Sequence, residues 1–301
     1  MISAVVHTFN EAKNIDRCLA SLDFADELVV IDMGSTDKTI EIAKMHKAKV
    51  FSHPFTGFVE PARNYGIKKA KGDWILIVDA DEVIPRSLKE EIIRISKDNS
   101  QKADFYRIAR KNIIFARFIK HSGWWPDYQV RFFKKGTVTW NNKIHGIPVT
   151  RGIGVELEQR EEYAIVHYHY DSVGQFIDRL NRYTSIQAKE QFLMGEKVTL
   201  KEMLLRPLNE FVRRYFAQEG YKDGWHGLCL SLLQSFSEMV VVIKSWELTG
   251  FREVEVNIND FERNIKSGEK MLNYWLTVEK LKKPQALLSG IILKIRRRLY
   301  S

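Results

Sequence analysis

A short apolar run that ends in three carboxylates occupies residues 74–82 and reads WILIVDADE. It is bounded by Gly72 and Pro85 and is rich in isoleucine and valine, which is typical of a strand buried on both faces. Parallel strands of α/β sheets place their carboxyl ends at the ligand crevice. The run therefore predicts a central strand that delivers its three acids to a site.

Asp79 and Asp81 stand two residues apart at the end of this strand. Where the strand becomes a loop, both carboxylates can turn toward one divalent cation. Mg²⁺ is commonly bound by one or two carboxylates together with substrate phosphates, and Mn²⁺ also takes oxygen ligands. The alternative is an aspartate-rich turn that caps the helix after Ser87, since such turns are frequent. The Asp-x-Asp pattern alone does not separate the two.

The composition limits what such a site serves. A chain of 301 residues with 45% hydrophobic and 28% charged residues is typical of a globular protein with a sizeable core. Its formal charge of +9 favours an anionic partner, whether a nucleotide, a nucleic acid or an acidic membrane. The basic residues are spread over both halves and no recognised nucleic-acid module occurs, so nucleic acid is not expected as a partner.

Cysteine usage and the N-terminal residues indicate the compartment. Cys18 and Cys229 are the two cysteines, which support no disulfide framework and favour a reducing, cytoplasmic location. The first residues lack the basic segment and long apolar core of a signal peptide. No apolar run is expected to reach the ~20 residues that span a bilayer, and residues 228–248 are expected to form a packed or interfacial helix.

Strand and helix patterns alternate over the first third of the chain, which predicts an α/β fold with a mostly parallel sheet and crossover helices. The predicted strands cover residues 2–7, 27–32, 49–52, 74–79 and 104–108, and the predicted helices 11–22, 37–47, 59–70 and 87–96. Helical patterns dominate after residue 172. We therefore expect a catalytic domain at residues 1–170 and a helical C-terminal region at residues 171–301.

Polar residues follow three of the predicted strands. Thr8, Asn10 and Glu11 come after the first strand, Asp32 ends the second, and residues 79–81 follow the fourth. We expect these strand ends to converge on one edge of the sheet. Hydroxyl, amide and carboxylate groups there suit hydrogen bonds to a base and a ribose.

Residues 2 to about 150 resemble inverting nucleotide-sugar glycosyltransferases of family 2, which have the GT-A fold. The resemblance rests on four motifs in the order and spacing of that family: residues 8–11 (TFNE), 30–39 (VIDMGSTDKT), 62–66 (ARNYG) and 79–82 (DADE). It implies a nucleoside-diphosphate sugar donor, expected to be a UDP-sugar, and Mg²⁺ or Mn²⁺ as the cofactor.

The resemblance also assigns roles to residues. It implies that Asp81, together with Asp79, holds a metal that acts as a Lewis acid on the leaving diphosphate. The residues that it implies for the nucleotide sugar are Thr8, Asn10, Glu11, Asp32, Arg63, Asp79 and Ala80. For Arg63, a solvated surface arginine is the alternative on composition alone.

An inverting displacement needs one base, and Asp127 is the candidate because it falls where the family carries its catalytic acidic residue. Many relatives have Glu-Asp where this chain has Pro-Asp, so a structural aspartate is the alternative. Trp125 is a candidate for stacking on a sugar face, and Arg131 for binding diphosphate or holding Asp127. His145 follows where some relatives place a histidine near the metal or acceptor, with a structural histidine as the alternative.

Three further polar residues receive no role. His167 and His169 alternate along a predicted strand and are therefore expected to face opposite sides of it. Glu82, the last acid of the run at residues 74–82, is also left without an assignment.

The second half narrows the resemblance to bacterial lipopolysaccharide-core β-1,4-glucosyltransferases. It rests on residues 167–170 (HYHY), 179–183 (RLNRY), 211–215 (FVRRY) and 220–227 (GYKDGWHG). The resemblance implies transfer of a hexose, expected to be glucose, to a lipid-linked glycan acceptor such as the lipopolysaccharide inner core. A peptide or another cell-surface glycan is the alternative acceptor, and a catalytically silent sugar-nucleotide-binding protein is the alternative of another class.

Residues 280–301 carry seven Lys or Arg and no Asp or Glu, with leucine and isoleucine interleaved. This pattern suits an interfacial helix on an anionic bilayer, where each basic residue contributes ~1 kcal/mol. A core-packed helix with a solvated basic end is an equal alternative, and oligomerisation through this region is another. The expected location is the cytoplasm, peripheral at the inner face of the bacterial inner membrane.

Overall fold

A computed structural model describes residues 1–55, 59–98, 100, 102–141, 148–282 and 287–300. The chain divides into two compact units. Unit 1 comprises Met1–Phe118 and Trp124–Asp171, and unit 2 comprises Ile119–Gly123 and Ser172–Ser301. The sequence placed its boundary after residue 170 and did not foresee that a short loop inside the first unit belongs to the second.

Unit 1 contains twelve short or medium strands and four flanking helices within the described residues. The strands are β1 (Ile2–Thr8), β2 (Glu27–Asp32), β3 (Lys49–Ser52), β4 (Trp74–Asp79), β5 (Glu82–Val83), β6 (Phe105–Ile114), β7 (Arg117–Phe118), β8 (Asp127–Lys134), β9 (Val138–Thr139), β10 (Val149–Thr150), β11 (Gly154–Glu156) and β12 (Ile165–Tyr170). The helices are α1 (Ile15–Ala20), α2 (Thr39–Met45), α3 (Glu60–Lys69) and α4 (Arg86–Lys97).

Ten of these strands form one sheet in the order β3-β2-β1-β4-β8-β6-β12-β5, with β7 and β11 also paired to β6. β1 pairs in parallel with β2 and β4, whereas β8 runs antiparallel between β4 and β6. β5 follows β4 after only two residues, yet it pairs with β12 at the far end of the order. The sheet therefore curls back on itself, and the predicted α/β class is confirmed.

The apolar residues of β4 are buried on both faces of the sheet, as the sequence predicted. Trp74, Leu76 and Val78 pack in one core with residues of α1 and α4, and Ile75 and Ile77 pack in a second core with residues of α3. Each fully buried aliphatic side chain contributes about 1.5–3 kcal/mol relative to an exposed one. The alternation along a single strand thus joins the two layers of helices to the sheet.

The predicted boundaries agree closely with the structure for the strands and less closely for the helices. β2, β3 and β4 match their predicted ranges to the residue. α1 is shorter than the predicted 11–22, because the residues before it form a turn in which the Glu11 carbonyl accepts from the amides of Asn14 and Ile15, both at 2.9 Å.

Unit 2 is helical in its described residues. It contains α5 (Val173–Leu193), α6 (Leu200–Val212), α7 (Trp225–Leu248), α8 (Ile258–Leu281) and α9 (Leu287–Tyr300). A π-helical turn at residues 213–217 and a 3₁₀ turn at residues 220–223 connect α6 to α7.

By length and composition, α7 passes the test for a helix that crosses a membrane, which corrects the expectation that no run approaches this length. The core helix of a globular protein passes the same test. One face of α7 packs on α5 and α6, and the opposite face exposes Trp225, Leu232, Phe236 and Ile243. A packed helix with an exposed apolar stripe therefore describes it.

Glu27 joins β1, β2 and the start of β4 at the edge of the sheet that holds the amino ends of these strands. Its buried carboxylate accepts hydrogen bonds from Ser3 Oγ at 2.6 Å, Lys71 N at 2.8 Å and Lys49 Nζ at 2.8 Å. Burial alone would raise the pKa of Glu27, but these hydrogen bonds lower it to about 2. Because the folded-state pKa lies below the unfolded one, ionised Glu27 stabilises the fold above about pH 4.5, and this contribution is lost as the pH falls toward 2.

We expect Glu27→Gln to lower the free energy of unfolding near neutral pH by on the order of 1–3 kcal/mol, because the amide cannot replace the charged acceptor. Urea denaturation as a function of pH measures the difference from the wild type. The difference should shrink as the pH falls from about 5 toward 2. Glu90→Gln, which removes the exposed Arg86–Glu90 pair, is the control and should change little. A difference that does not vary with pH would contradict this account.

Candidate active site

Three strand ends meet at one edge of the sheet in unit 1. The register places Thr8 of β1 beside Asp32 of β2, and His7 of β1 beside Asp79 of β4. The predicted convergence of these polar positions is therefore confirmed.

Asn10 joins the loops that follow β1 and β2. Its Oδ1 accepts a hydrogen bond from Thr36 N at 2.8 Å, and its own backbone N donates to Ser35 Oγ at 2.8 Å. The next residue, Glu11, donates its backbone N to Thr39 Oγ1 at 2.8 Å. These bonds hold both loops in one arrangement at the edge of the sheet.

Asp32 and Thr8 keep hydrogen-bonding capacity at this edge. The buried carboxylate of Asp32 accepts from the amides of Gly34 at 3.1 Å and Ser35 at 3.2 Å. Gly34 has φ +93°, a conformation that glycine adopts readily. A carboxylate has about four lone-pair sites, so Asp32 retains acceptors. Thr8 Oγ1 is buried without a hydrogen-bond partner in the part of the chain that the structure describes.

Six side chains of alternating charge form a continuous row from this edge across the sheet, which we call the charge row. Neighbours along it are joined by hydrogen bonds or ion pairs of at most 3.6 Å. Its members, in order, are Arg63, Asp79, Arg131, Glu82, Arg110 and Asp127.

Arg131 of β8 is at the centre of the charge row. It is 3% exposed, and its Nη2 donates to Asp79 Oδ2 at 2.6 Å and to Glu82 Oε1 at 2.7 Å. The other oxygen of Glu82 accepts from the backbone N of Asp79 at 2.9 Å. Arg63 donates Nη2 to both oxygens of Asp79, at 3.0 and 3.2 Å. At 7% exposure, Arg63 is not the solvated surface arginine that composition alone favoured.

The charges of the row determine which groups are ionised. Burial opposes ionisation of Asp79, but the guanidinium groups of Arg131 and Arg63 lower its pKa well below the ordinary value. Burial is the larger effect at Glu82 and raises its pKa. Asp79 therefore carries the negative charge that holds both arginines, and its two oxygens are occupied by them.

Asp81 lies beside the row, next to His167 of β12. His167 Nε2 is 3.5 Å from Asp81 Oδ2, and its Nδ1 is 2.6 Å from Asn112 Oδ1. Asn112 donates its Nδ2 to Trp124 O at 2.7 Å, so its oxygen faces the imidazole and His167 Nδ1 must be the donor. A neutral His167 then presents the lone pair of Nε2 beside a carboxylate. One nitrogen and one carboxylate in this arrangement fit a divalent cation that also binds substrate phosphates.

The two histidines of β12 lie on the same side of the strand, which corrects the prediction of opposite sides. A bulge between Tyr168 and Tyr170 inserts His169 as an extra residue in the pairing with β6. The rings of His167 and His169 stack with centroids 4.4 Å apart. Alternation along the sequence could not reveal the bulge, because a single extra residue reverses the direction of the side chain.

Asp127 begins β8 and ends the charge row. Arg110 donates both Nε, at 2.8 Å, and Nη2 to Asp127 Oδ2, and Gln129 Nε2 donates to Oδ1 at 2.7 Å. Burial would raise the pKa of Asp127, but Arg110 and the hydrogen bonds from Gln129 and Asn112 lower it. The carboxylate is thus ionised, held in one orientation, and still 22% exposed. It has the charge and access that a base requires.

Other predicted site residues have mixed outcomes. Arg131 contacts Asp79 and Glu82, and Arg110 instead holds Asp127. Trp125 packs edge to face on Phe118, with centroids 5.3 Å apart. His145 lies outside the described residues, and Ala80 is buried.

Sequence reasoning missed Glu82, His167, Asn112 and Arg110. Glu82 was visible beside the Asp-x-Asp pattern. Arg110 and Asn112 gave no signal, because nothing in a strand sequence says which charged residue meets which partner across a sheet.

The curled, mostly parallel sheet with polar strand ends at one edge is the GT-A fold. A family model described as glycosyl transferase family 2 matches residues 3–154, half of the chain. The chain therefore belongs to glycosyl transferase family 2, whose members move sugars from nucleotide donors.

Two relatives and two solved structures place it among glycosyltransferases. An uncharacterized glycosyltransferase of Rickettsia bellii is 29% identical, with 82% of this chain and 87% of the relative covered. The lipopolysaccharide core biosynthesis glycosyltransferase LpsC of Rhizobium meliloti is 21% identical, with coverage of 75% and 84%. The structure of S. aureus TarS is 18% identical, with a TM-score of 0.42 and coverage of 86% and 94%. A Mycobacterium tuberculosis glucosyl-3-phosphoglycerate synthase, solved with Mn²⁺, UDP-glucose and phosphoglyceric acid, is 26% identical, with a TM-score of 0.30 and coverage of 36% and 42%.

We expect Asp127→Asn to lower kcat by about 10²–10⁴-fold, because an amide cannot take a proton from the acceptor. The affinity for UDP should stay unchanged, since Asp127 lies at the end of the charge row opposite Arg63. Steady-state kinetics and UDP titration calorimetry measure the two quantities. Asp23→Asn, at an exposed pair with Lys89, is the matched control. Retained turnover would make another group the base.

Proposed function

We propose that this family 2 glycosyltransferase transfers a hexose, expected to be glucose, from a UDP-sugar to a lipid-linked glycan, with inversion at the anomeric carbon. The observation that carries the proposal is the charge row, which connects the nucleotide edge of the sheet to an ionised Asp127. Such a row fixes donor-binding and proton-accepting groups in one rigid arrangement before substrate arrives, and pre-organised groups reduce the barrier most.

The donor binds along the edge formed by β1, β2 and β4. Thr8, with its buried unpaired hydroxyl, and Asp32, with its spare acceptors, are the proposed contacts for the nucleoside. Arg63 Nη1 also lacks a hydrogen-bond partner within the described ranges, so it is a further donor for a base carbonyl or a phosphate. The remaining proposed contacts are Asn10, Glu11, Asp79 and Ala80.

The cation is held by Asp81, and we add His167 as its second protein ligand. A bound Mg²⁺ or Mn²⁺ would supply Lewis-acid stabilisation of the leaving diphosphate. Asp79 is the weaker candidate of the Asp-x-Asp pair, because Arg63 and Arg131 occupy its oxygens. Its proposed task is to hold these two guanidinium groups toward the diphosphate.

Asp127 accepts the proton of the attacking acceptor hydroxyl. Arg110 and Gln129 hold the carboxylate still while it does so. Arg110 also keeps it ionised, so the base is ready at neutral pH. Trp125, three positions from the end of the chain segment that leads into β8, is proposed to stack on the acceptor sugar.

A lipid-linked acceptor such as the lipopolysaccharide inner core is supported by the resemblance to lipopolysaccharide-core enzymes and by the similarity to LpsC. Another cell-surface glycan or a peptide is the alternative acceptor. A sugar-nucleotide-binding protein without activity is the alternative of another class, which the following experiment separates.

We expect the wild-type protein to hydrolyse one UDP-sugar slowly in the presence of Mg²⁺ or Mn²⁺, because water can replace the acceptor. Asp81→Asn and His167→Ala should each lower this rate by about 10–100-fold or more, as loss of groups that hold a metal does. Mn²⁺ binding followed by electron paramagnetic resonance gives a readout independent of turnover. Asp73→Asn, an exposed carboxylate at the start of β4, is the control. Full activity of Asp81→Asn would remove its metal role, and no hydrolysis of any UDP-sugar would favour the silent binding protein.

α9 supports a peripheral position at the inner face of the bacterial inner membrane. Ile292, Ile295 and Leu299 recur on one face of the helix, and all three are exposed. A core-packed helix would bury this face. Lys294, Arg297 and Arg298 lie on the other faces, which is the distribution of an interfacial helix on anionic lipid.

We expect the protein to sediment with vesicles that contain phosphatidylglycerol and not with pure phosphatidylcholine vesicles. Reversing two charges, Arg297→Glu with Arg298→Glu, should weaken binding at least about 10-fold, since each basic residue contributes ~1 kcal/mol. Arg263→Glu, at an exposed pair on α8, is the matched control. Equal binding to both vesicles, or to the control and the double variant, would contradict the membrane proposal. Concentration-dependent mass instead would support the oligomer alternative.

A further inference from the structure

The loop at residues 119–123, which belongs to unit 2, interrupts the chain of unit 1 just before the candidate base. It leaves after β7 and returns at Trp124, three residues ahead of Asp127. Phe118 and Trp125, close to the two ends of the loop, pack on each other in unit 1. Because four residues span at most ~14 Å, the position of Gly123 limits where Asp127 can lie.

Asp223, in the 3₁₀ turn before α7, binds this loop. Its carboxylate is 4% exposed. Oδ2 accepts from His121 N at 2.8 Å, and Oδ1 accepts from Lys120 N at 3.4 Å and lies 3.1 Å from His121 Nδ1. The hydrogen bonds recorded for this buried carboxylate all lead to two consecutive residues of the loop.

Ser122 is bound from the other side by the π-helical turn. It is fully buried with φ +57°, its N donates to Gln218 O at 2.9 Å, and its O accepts from Arg214 Nη1 at 2.7 Å. A Cβ at Gly220 would lie 2.3 Å from Ser122 Oγ, and a Cβ at Gly123 would lie 2.6 Å from Gln218 Oε1. Only glycine permits this closeness at both positions, so the loop is held by shape as well as by hydrogen bonds.

We propose that Asp223 and Arg214 are positioning residues for the transfer reaction, which act on Asp127 through loop 119–123. The proposal rests on the proposed role of Asp127 as the base. It gives a task to the sequence motif at residues 220–227, which the donor site leaves unused. Asp223 and Arg214 contact no substrate in this scheme. They fix the chain that enters β8, and Arg110 then holds Asp127 in the orientation set by that entry.

Asp223→Asn tests the proposal in the full-length protein. The amide offers one acceptor where two are needed and turns an N–H group toward other donors, so the loop loosens. We expect kcat to fall about 10–100-fold, the effect of a displacement near 1 Å at a reacting group, while the Kd for UDP stays within about twofold. His121→Ala, which removes only the side-chain bond, should lower kcat in the same direction by a smaller factor and serves if Asp223→Asn does not fold.

Glu238→Gln is the matched control, because it breaks the half-buried Arg206–Glu238 pair in unit 2 without touching the loop. It should lower the melting temperature and leave kcat unchanged. If it lowers kcat as much as Asp223→Asn does, general loosening of unit 2 explains the loss and the proposal is overturned. Unchanged kcat in folded Asp223→Asn also overturns it.

A double-mutant cycle separates this proposal from the role of Asp127. In an Asp127→Asn background, Asp223→Asn should have no further effect on the residual rate, because the group it positions is gone. Additive losses would mean that Asp223 acts elsewhere. Full turnover of the single variant Asp127→Asn would show by itself that the base is misassigned, and the positioning proposal would fall with it.

Discussion

The buried guanidinium of Arg131, held between Asp79 and Glu82, is the interaction on which the rest of the site depends. It joins β8 to the end of β4 and the start of β5, so it fixes the point where the sheet curls. Buried ion pairs add little net stability relative to apolar packing, yet removal of one partner costs about 3–5 kcal/mol. The arrangement therefore defines geometry rather than stability. The two cores around β4 supply the stability, and Arg131 determines where the charges lie.

The order of charges along the row also divides the chemistry. At one end, Arg63 and Asp79 present a guanidinium group to an anionic donor. At the other, Arg110 keeps Asp127 ionised in spite of its burial. Since Glu82 takes the protonation cost of the crowded centre, with its pKa raised by burial, the two functional ends are insulated from each other. One group at the centre can change its protonation without altering the charge of either end.

Much of this molecule follows from the sequence, and the rest fails for identifiable reasons. The strand ranges were predictable because apolar runs between glycine and proline leave few alternatives, and the convergence of Thr8, Asp32 and Asp79 follows from parallel pairing. Asp127 was recognisable only by resemblance. Arg110 could not be foreseen, because its partner lies across an antiparallel pair whose register the sequence does not show. His167 was missed because of the bulge at His169, and loop 119–123 because a change of unit leaves no compositional mark.

The joint of two residues between β4 and β5 has a consequence for how such a protein can diversify. β4 is committed to one end of the sheet and β5 to the other, so inserting or deleting a residue at Ala80 or Asp81 would put both pairings out of step at once. Natural variation in length is thereby directed away from the donor side. New acceptor specificities would arise by lengthening and exchanging segments elsewhere, while the nucleotide sugar is bound by an invariant hinge in the sheet.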